Sequence, residues 1–255
     1  MLLVADIGNT QTHLGVYQGE KLLCSWRLST RATDTADELL SCLRPLLAER
    51  ADLPPLSHAA LASVVPPLSN QWVAVAKRLT GAEPLLLSHK TAVGFTYHYD
   101  APEEIGSDRI ADAIAAIELY GAPVIVVDFG TATNIEIIGK DGAFMGGIIA
   151  PGLLTSADAL FTAAARLPRI DIERPPQVIG TSTKAAVQSG LSYGEIDRID
   201  GLVRRVFAEL GYECPVIATG GLSRRFLDIS TTITNVNDNL TLEGLRLVFE
   251  RSALA

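Results

Sequence analysis

The sequence predicts an α/β protein built from two halves with the same order of elements. Three observations predict it. Residues 6–16 read DIGNTQTHLGV and residues 128–138 read DFGTATNIEII. Each stretch places an Asp at the end of a short apolar run, then one large apolar residue, a Gly and small polar residues. The two stretches stand about half a chain apart in 255 residues. Each opens a run of three strand-like segments followed by alternating helix and strand, the order expected of a layered α/β unit. The expected units are residues 1–118 and 119–255, each of βββαβαβα type.

MLLVA suits a buried strand. THLGVYQ and KLLCSWRLS follow as strands joined by a turn at Gly19–Glu20. Residues 35–50 have a helical apolar period, with Thr35 and Glu38 spaced as a capping box. Pro45 inside that helix predicts a kink or a break. AALASVV is the next strand, Pro66–Pro67 open a helix, and EPLLLS gives a further strand. Residues 89–106 read as a loop. Residues 107–121 form a helix with Ser107 as its N-cap and Ile110, Ala113, Ile114 and Ile117 on one face.

The order then restarts. APVIVVDFG, TATNIEIIG and GAFMGGIIAPG are three strands, and helices follow near 152–165 and 182–210, the second with a break near Gly190. CPVIAT is a strand, ATGGLS a strand end with two glycines and a helix start, and residues 240–253 a closing helix.

Composition narrows the function. Apolar residues make 48% and charged residues 20%, as in ordinary globular chains. A net charge of −8 argues against a nucleic-acid partner, because neutralising phosphates needs a basic surface. Cys24, Cys42 and Cys214 have neither zinc nor disulfide spacing and read as reduced core residues of a cytoplasmic protein. The start lacks a basic leader, and no apolar stretch reaches the roughly 18 residues of a membrane helix.

One Asp-x-Gly turn is ordinary turn chemistry. Two, each opening a half, point to phosphate. Gly8 and Gly130 allow a ligand close to the backbone, and Asn9, Thr10, Thr12, Thr131 and Thr133 add donors. Two acids beside phosphate imply a cation. No Walker loop or GxGxxG is present. This phosphate-gripping pattern resembles the acetate and sugar kinase, Hsp70 and actin superfamily. The resemblance implies two ribonuclease-H-like halves with a nucleotide cleft between them. At the start of the 107–121 helix, Asp108 suits a general base that takes a hydroxyl proton, and Arg109 suits a fork for a carboxylate. The helix dipole and Arg109 would keep Asp108 ionised near neutral pH.

The ordered set DIGNT, SVVPP, YDAP, GSDR, DFGTAT, GGIIAPG, ATGG and LTLEGL is similar to type III pantothenate kinases and spans nearly the whole chain. The resemblance implies transfer of the ATP γ-phosphate, with Mg²⁺, to pantothenate, giving 4'-phosphopantothenate at the start of coenzyme A synthesis. It assigns Asp108 as proton acceptor. Tyr99, Gly106, Ser107, Asp108, Arg109 and Thr183 would contact pantothenate. Asp6, Ile7, Gly8, Asn9, Thr10, Gln11, Thr12, His13 and Thr131 would contact ATP, and Asp128 would hold K⁺ or NH₄⁺. It also implies a homodimer. The chain departs from the family pattern at Ala101, Ser107, Asn134 and Glu136. Two other readings compete. Another small-molecule kinase of the superfamily is disfavoured by the short length and by GSDR at a helix start. A catalytically idle regulator is disfavoured by the retained acids and the charge of −8.

Overall fold

In a computed structural model, the structure describes residues 1–50, 53–164 and 167–254. Two compact units emerge. The first comprises residues 1–119, 142–144 and 239–255, and the second residues 120–141 and 145–238. The stretch 239–255, expected with the second half, therefore groups with the first.

In the first unit, β1 (Leu2–Ile7), β2 (Gln11–Gln18), β3 (Lys21–Ser29), β4 (His58–Ser63) and β5 (Leu85–Leu86) form a sheet of order β3-β2-β1-β4-β5. Strands β1, β2 and β3 pair antiparallel in turn, while β1–β4 and β4–β5 are parallel. In the second unit, β6 (Val124–Phe129), β7 (Ala132–Ile138), β8 (Phe144–Pro151), β9 (Val216–Thr219) and β10 (Asn235–Val236) give the order β10-β9-β6-β7-β8. Strand for strand this is the same topology, so the duplication read from the two Asp stretches is a duplication of fold. Strands β5 and β10 are two residues each, too short for the strand pattern to reveal β10 in the sequence.

In the first unit Leu3, Ala5 and Ile7 of β1 face a core completed by α1 (Ala36–Ala48) and α2 (Pro66–Thr80), through Leu39, Leu40, Leu43, Leu68, Trp72 and Val75. The alternate residues Leu2 and Val4 are buried too, as in parallel sheets covered on both faces. On that side lies α6 (Leu240–Leu254), which packs on β1, β2 and β4 and reaches Gly15 with Leu242. Gly244 of α6 lies against the Ala111 backbone of α3 (Ser107–Tyr120), an approach that leaves no room for a side chain. In the second unit Ile125, Val127 and Phe129 pack on Ile196, Ile199 and Val203 of α5 (Thr183–Leu210). Asp6 and Asp128 thus occupy matching strand positions, one residue short of each strand's end and on the face opposite these cores.

Helix α1 carries the full Thr35–Glu38 capping box. It does not break at Pro45 but continues to Ala48, because the proline falls in its last turns and its buried face is already docked. Helix α5 likewise runs unbroken through Gly190. Its buried positions Gln188, Ser192, Glu195, Ile199 and Val203 keep helical spacing, and that packing outweighs the roughly 1 kcal/mol glycine penalty. Helix α4 (Leu153–Ala163) matches the expected helix near 152–165 up to 163; residue 165 lies outside the described residues. After Gly221 there is only a 3-10 turn, Ser223–Arg225, where a helix start was expected. Cys42 is exposed rather than a core residue, while Cys24 and Cys214 are half-buried and pack against the two cores. Among the described residues no helix is long and apolar enough to cross a membrane.

The loop before β10 is stapled to α5 by Asp200. Its Oδ1 accepts from the hydroxyls of Ser230 (2.7 Å) and Thr232 (2.7 Å), and its Oδ2 from the Thr231 amide (2.8 Å) and hydroxyl (2.6 Å). Burial opposes the charge, but these bonds outweigh it and hold the carboxyl below the usual aspartate range. An acid held below its unfolded value of about 3.9 stabilises the fold above that pH and loses this contribution as pH falls through its folded value. Asp200→Asn should therefore unfold at lower urea than the wild type at pH 7. The gap should narrow as the pH is taken well below 4, as urea titrations along a pH series would record.

Candidate functional site

The first Asp turn joins β1 to β2. Asp6 stands opposite His13 and Ile7 opposite Thr12, which leaves residues 8–11 as the loop. The Gly8 amide donates to the Gln11 carbonyl at 3.1 Å, and a Cβ on Gly8 would sit 2.9 Å from that oxygen, so the turn requires glycine. Ile7 and Thr12 are buried. The Thr12 hydroxyl is 2.9 Å from that of Thr30, and the Thr30 amide donates to the Thr10 carbonyl at 2.9 Å. These bonds fix the loop ends. Asn9, Thr10 and Gln11 are exposed. His13 is buried and stands opposite Asp6 across β1 and β2. An exposed amide, hydroxyl and amide side chain over a glycine turn, with Asp6 at its root, is a donor set suited to phosphate oxygens and a magnesium ion bound with them.

Asp108 reaches the same end of the sheet through one strand. Ser63, the last residue of β4, pairs with Ile7 of β1, and the Val64 amide donates to the Ile7 carbonyl at 3.1 Å. Strand β5 pairs with β4 only at Ala60 and Leu61, so beyond Leu61 that edge needs another partner. Ser107 supplies it: its Oγ accepts from the Ser63 amide at 2.9 Å. Ser107 is therefore the first residue inside α3 rather than its N-cap, and its hydroxyl turns towards β4. Helix α3 is pinned to the sheet at its first residue, one position before Asp108.

Asp108 is half-buried, and its Oδ1 accepts the Arg109 amide at 2.8 Å. Loss of water around the carboxyl pushes its pKa above the usual aspartate value, although the Arg109 amide and guanidinium pull the other way. Arg109 acts in the expected direction, and burial outweighs it in the direction of the shift. An acid so raised binds its proton more tightly in the fold than in the unfolded chain. Ionising it costs stability as pH rises through that window, while the basicity gained suits a proton acceptor.

Arg109 is buried, with its guanidinium carbon 5.4 Å from the centre of the Phe144 ring. Tyr99 meets the same ring edge-on at 5.8 Å. Phe144, fully buried, so gathers two predicted substrate residues, a role the sequence did not disclose because it read as one more strand residue. Backbone bonds fix this meeting: the Phe144 amide donates to Thr96 (2.9 Å) and the His98 amide to Phe144 (2.8 Å). Asp112, one turn after Asp108, is buried.

The second Asp turn joins β6 to β7. Phe129 stands opposite Thr133, so this loop is residues 130–132, one shorter than the first. The Gly130 amide donates to Ala132 at 3.0 Å. Gly220, at φ +87, lies so close to the Asp128 Oδ1 and the Phe129 backbone that a Cβ there would fill the space. A carboxylate cradled by two glycines, with main-chain carbonyls beside it, fits a hard monovalent cation that prefers oxygen donors. Thr131 is exposed. Thr183 is the exposed first residue of α5, preceded by Ser182 as N-cap, whose hydroxyl accepts the Ala185 amide at 3.2 Å.

Within the first unit the structure thus joins the Asp6 turn, Asp108, Arg109 and Tyr99 through β4 and Phe144. Within the second it joins Asp128, Thr131 and Gly220. The sequence missed the roles of Phe144 and Ser63, whereas the paired glycines after a strand had already singled out Gly220.

The family model described as type III pantothenate kinase matches residues 2–205. A type III pantothenate kinase of Roseiflexus castenholzii is 46% identical over 98% of each chain. One of Moorella thermoacetica is 42% identical over 99% of this chain and 100% of its own. Among solved structures, a Campylobacter jejuni protein described under a Baf family of transcriptional activators has a TM-score of 0.60 at 18% identity, covering 99% of this chain and 100% of its own. Acetate kinase of Entamoeba histolytica has a TM-score of 0.54 at 9% identity, covering 98% and 99%. These two likenesses concern the fold.

A Cβ on Gly106 would overlap the Asp108 Oδ1, whereas Val64 lies 3.5 Å away in ordinary contact. Gly106→Ala should therefore displace the carboxylate with little harm to the fold. Turnover should drop about 10- to 100-fold with a thermal midpoint within a few degrees of wild type, since small misplacements of reacting groups cost that much. Steady-state kinetics beside thermal unfolding check it.

Proposed function

The chain belongs to the type III pantothenate kinase family, and on that premise we propose how its residues carry the reaction. The activity is ATP-dependent phosphorylation of pantothenate, the entry to coenzyme A synthesis, with ATP used beside a divalent metal. In the proposed assignment, the pantothenate hydroxyl lies beside Asp108. As its oxygen bonds to the γ-phosphorus and the bond to ADP breaks, its proton passes to the Asp108 carboxylate. Arg109 pairs with the pantothenate carboxylate, with Tyr99, Gly106 and Ser107 beside it in the first unit, and Thr183 is assigned a pantothenate contact on the family resemblance alone. Residues 6–13 hold the ATP phosphates and Thr131 adds a further ATP contact. Asp128 would hold K⁺ or NH₄⁺, whose positive charge would offset that of the phosphates.

The observation that carries this reading is the Ser107–Ser63 bond. It fixes the start of α3, and with it Asp108, to the strand that pairs with the end of β1. A phosphate-gripping turn and a desolvated carboxylate then stand on one sheet end, the arrangement that in-line phosphoryl transfer to a hydroxyl needs. A homodimer and a cytoplasmic setting are also proposed, on the family resemblance alone.

Release of ADP from ATP and Mg²⁺ should require pantothenate and should rise with K⁺ or NH₄⁺. Arg109→Ala should raise the KM for pantothenate at least about tenfold, as expected when a charged partner is lost. It should leave the KM for ATP nearly unchanged. Ion-independent turnover would remove the Asp128 assignment, and an unchanged pantothenate KM would remove that of Arg109.

A further inference from the structure

Beneath the second Asp turn lies a buried charge that the reaction described so far does not use. Glu195, on α5, is almost fully buried. Its Oε1 accepts the Thr133 hydroxyl at 2.7 Å, and its Oε2 accepts Arg198 Nη2 at 2.6 Å. The same Arg198 nitrogen donates to the Pro151 carbonyl at 2.9 Å. The next residue, Gly152, donates its amide to the Thr131 carbonyl at 3.1 Å, and its Cα lies against the Gly130 and Thr131 carbonyls so closely that no side chain would fit. Thr155 adds its hydroxyl to the Thr131 carbonyl at 2.6 Å.

The bonds close a ring. It runs from Thr131 through Gly152 and Pro151 to Arg198, through Glu195 to Thr133, and back along two residues of chain. Every residue of the turn is gripped at one end or the other. The Thr131 carbonyl is turned inward to two donors, which directs the rest of that residue outward. At the first Asp turn, hydroxyl and backbone contacts with Thr30 hold the loop ends.

We infer that Glu195, with Arg198, is a positioning residue that sets the shape of the 130–133 turn and thereby the presentation of Asp128 to the monovalent cation and of Thr131 to ATP. This rests on the assignment of Asp128 and Thr131 given above. A carboxylate at this place is worth its burial because it answers two donors at once: the hydroxyl that ends the turn and the guanidinium that reaches the far strand. Glutamine keeps an oxygen for Thr133 and gives up the charge shared with Arg198. Alanine gives up both.

The test measures the half-saturating K⁺ concentration, the KM for ATP, the KM for pantothenate and the thermal midpoint in wild type, Glu195→Ala, Glu195→Gln, Thr133→Val and Asp128→Asn. Outer residues that orient a metal ligand change affinity about 10- to 100-fold when removed. Glu195→Ala should raise the K⁺ requirement and the ATP KM at least about tenfold, with the pantothenate KM within about twofold. Glu195→Gln should fall between Glu195→Ala and wild type. If Glu195→Ala does not fold, Thr133→Val and Glu195→Gln carry the test, with shifts of the same kind. A lower thermal midpoint with unchanged K⁺ and ATP constants in the folded variants would overturn the positioning role. Asp128→Asn separates the two causes of such a failure. If it raises the K⁺ requirement while the Glu195 and Thr133 variants do not, the positioning role alone fails. If it too leaves the requirement unchanged, the underlying cation assignment is what fails.

Discussion

A backbone amide at the end of β4 sets where Asp108 stands. Strand β5 is only two residues long, so the Ser63 amide is left beyond its reach. A buried amide without a partner costs about 1–3 kcal/mol. Ser107 answers it with a hydroxyl at 2.9 Å, and Ser63 in turn shares its own hydroxyl with Ser69 of α2 at 2.9 Å. The start of α3, the end of β4 and the start of α2 are thereby locked together. The position of Asp108 relative to the Asp6 turn follows from this lock, and so does its desolvation.

The two Asp turns share one topology and differ in their surroundings. Both lie between the first and second strands of sheets with the same order, and both keep the Asp one residue before the strand end. They differ in what surrounds them. The first has a four-residue loop with exposed polar side chains, suited to phosphate oxygens. The second is one residue shorter, is backed by Gly152 and Gly220, and rests on the Glu195–Arg198 pair. Duplication supplied the frame, and the residues beneath each turn specialised it.

What the sequence disclosed was local chemistry. The Thr35–Glu38 box and the proline opening α2 were legible, because each involves residues a few positions apart. The Asp turns were legible for the same reason, and their repetition gave the fold. The rest needed tertiary contacts. The continuity of α5 through Gly190 depends on what its buried face meets. The grouping of α6 with the first unit depends on Gly244 lying against Ala111. Phe144 could not be picked out before Tyr99 and Arg109 were seen to meet its ring. The raised pKa of Asp108 reflects lost water, which no sequence neighbour records.

The most direct test of the account is the pH profile of pantothenate-dependent turnover in wild type and Asp108→Asn, both checked for folding. A general base in a desolvated site should give a wild-type acid limb above the ordinary aspartate value of about 3.9. The variant should fold and bind ATP yet turn over at least about 10²-fold more slowly, without that limb. Near-wild-type turnover in Asp108→Asn, with the acid limb retained, would contradict the account.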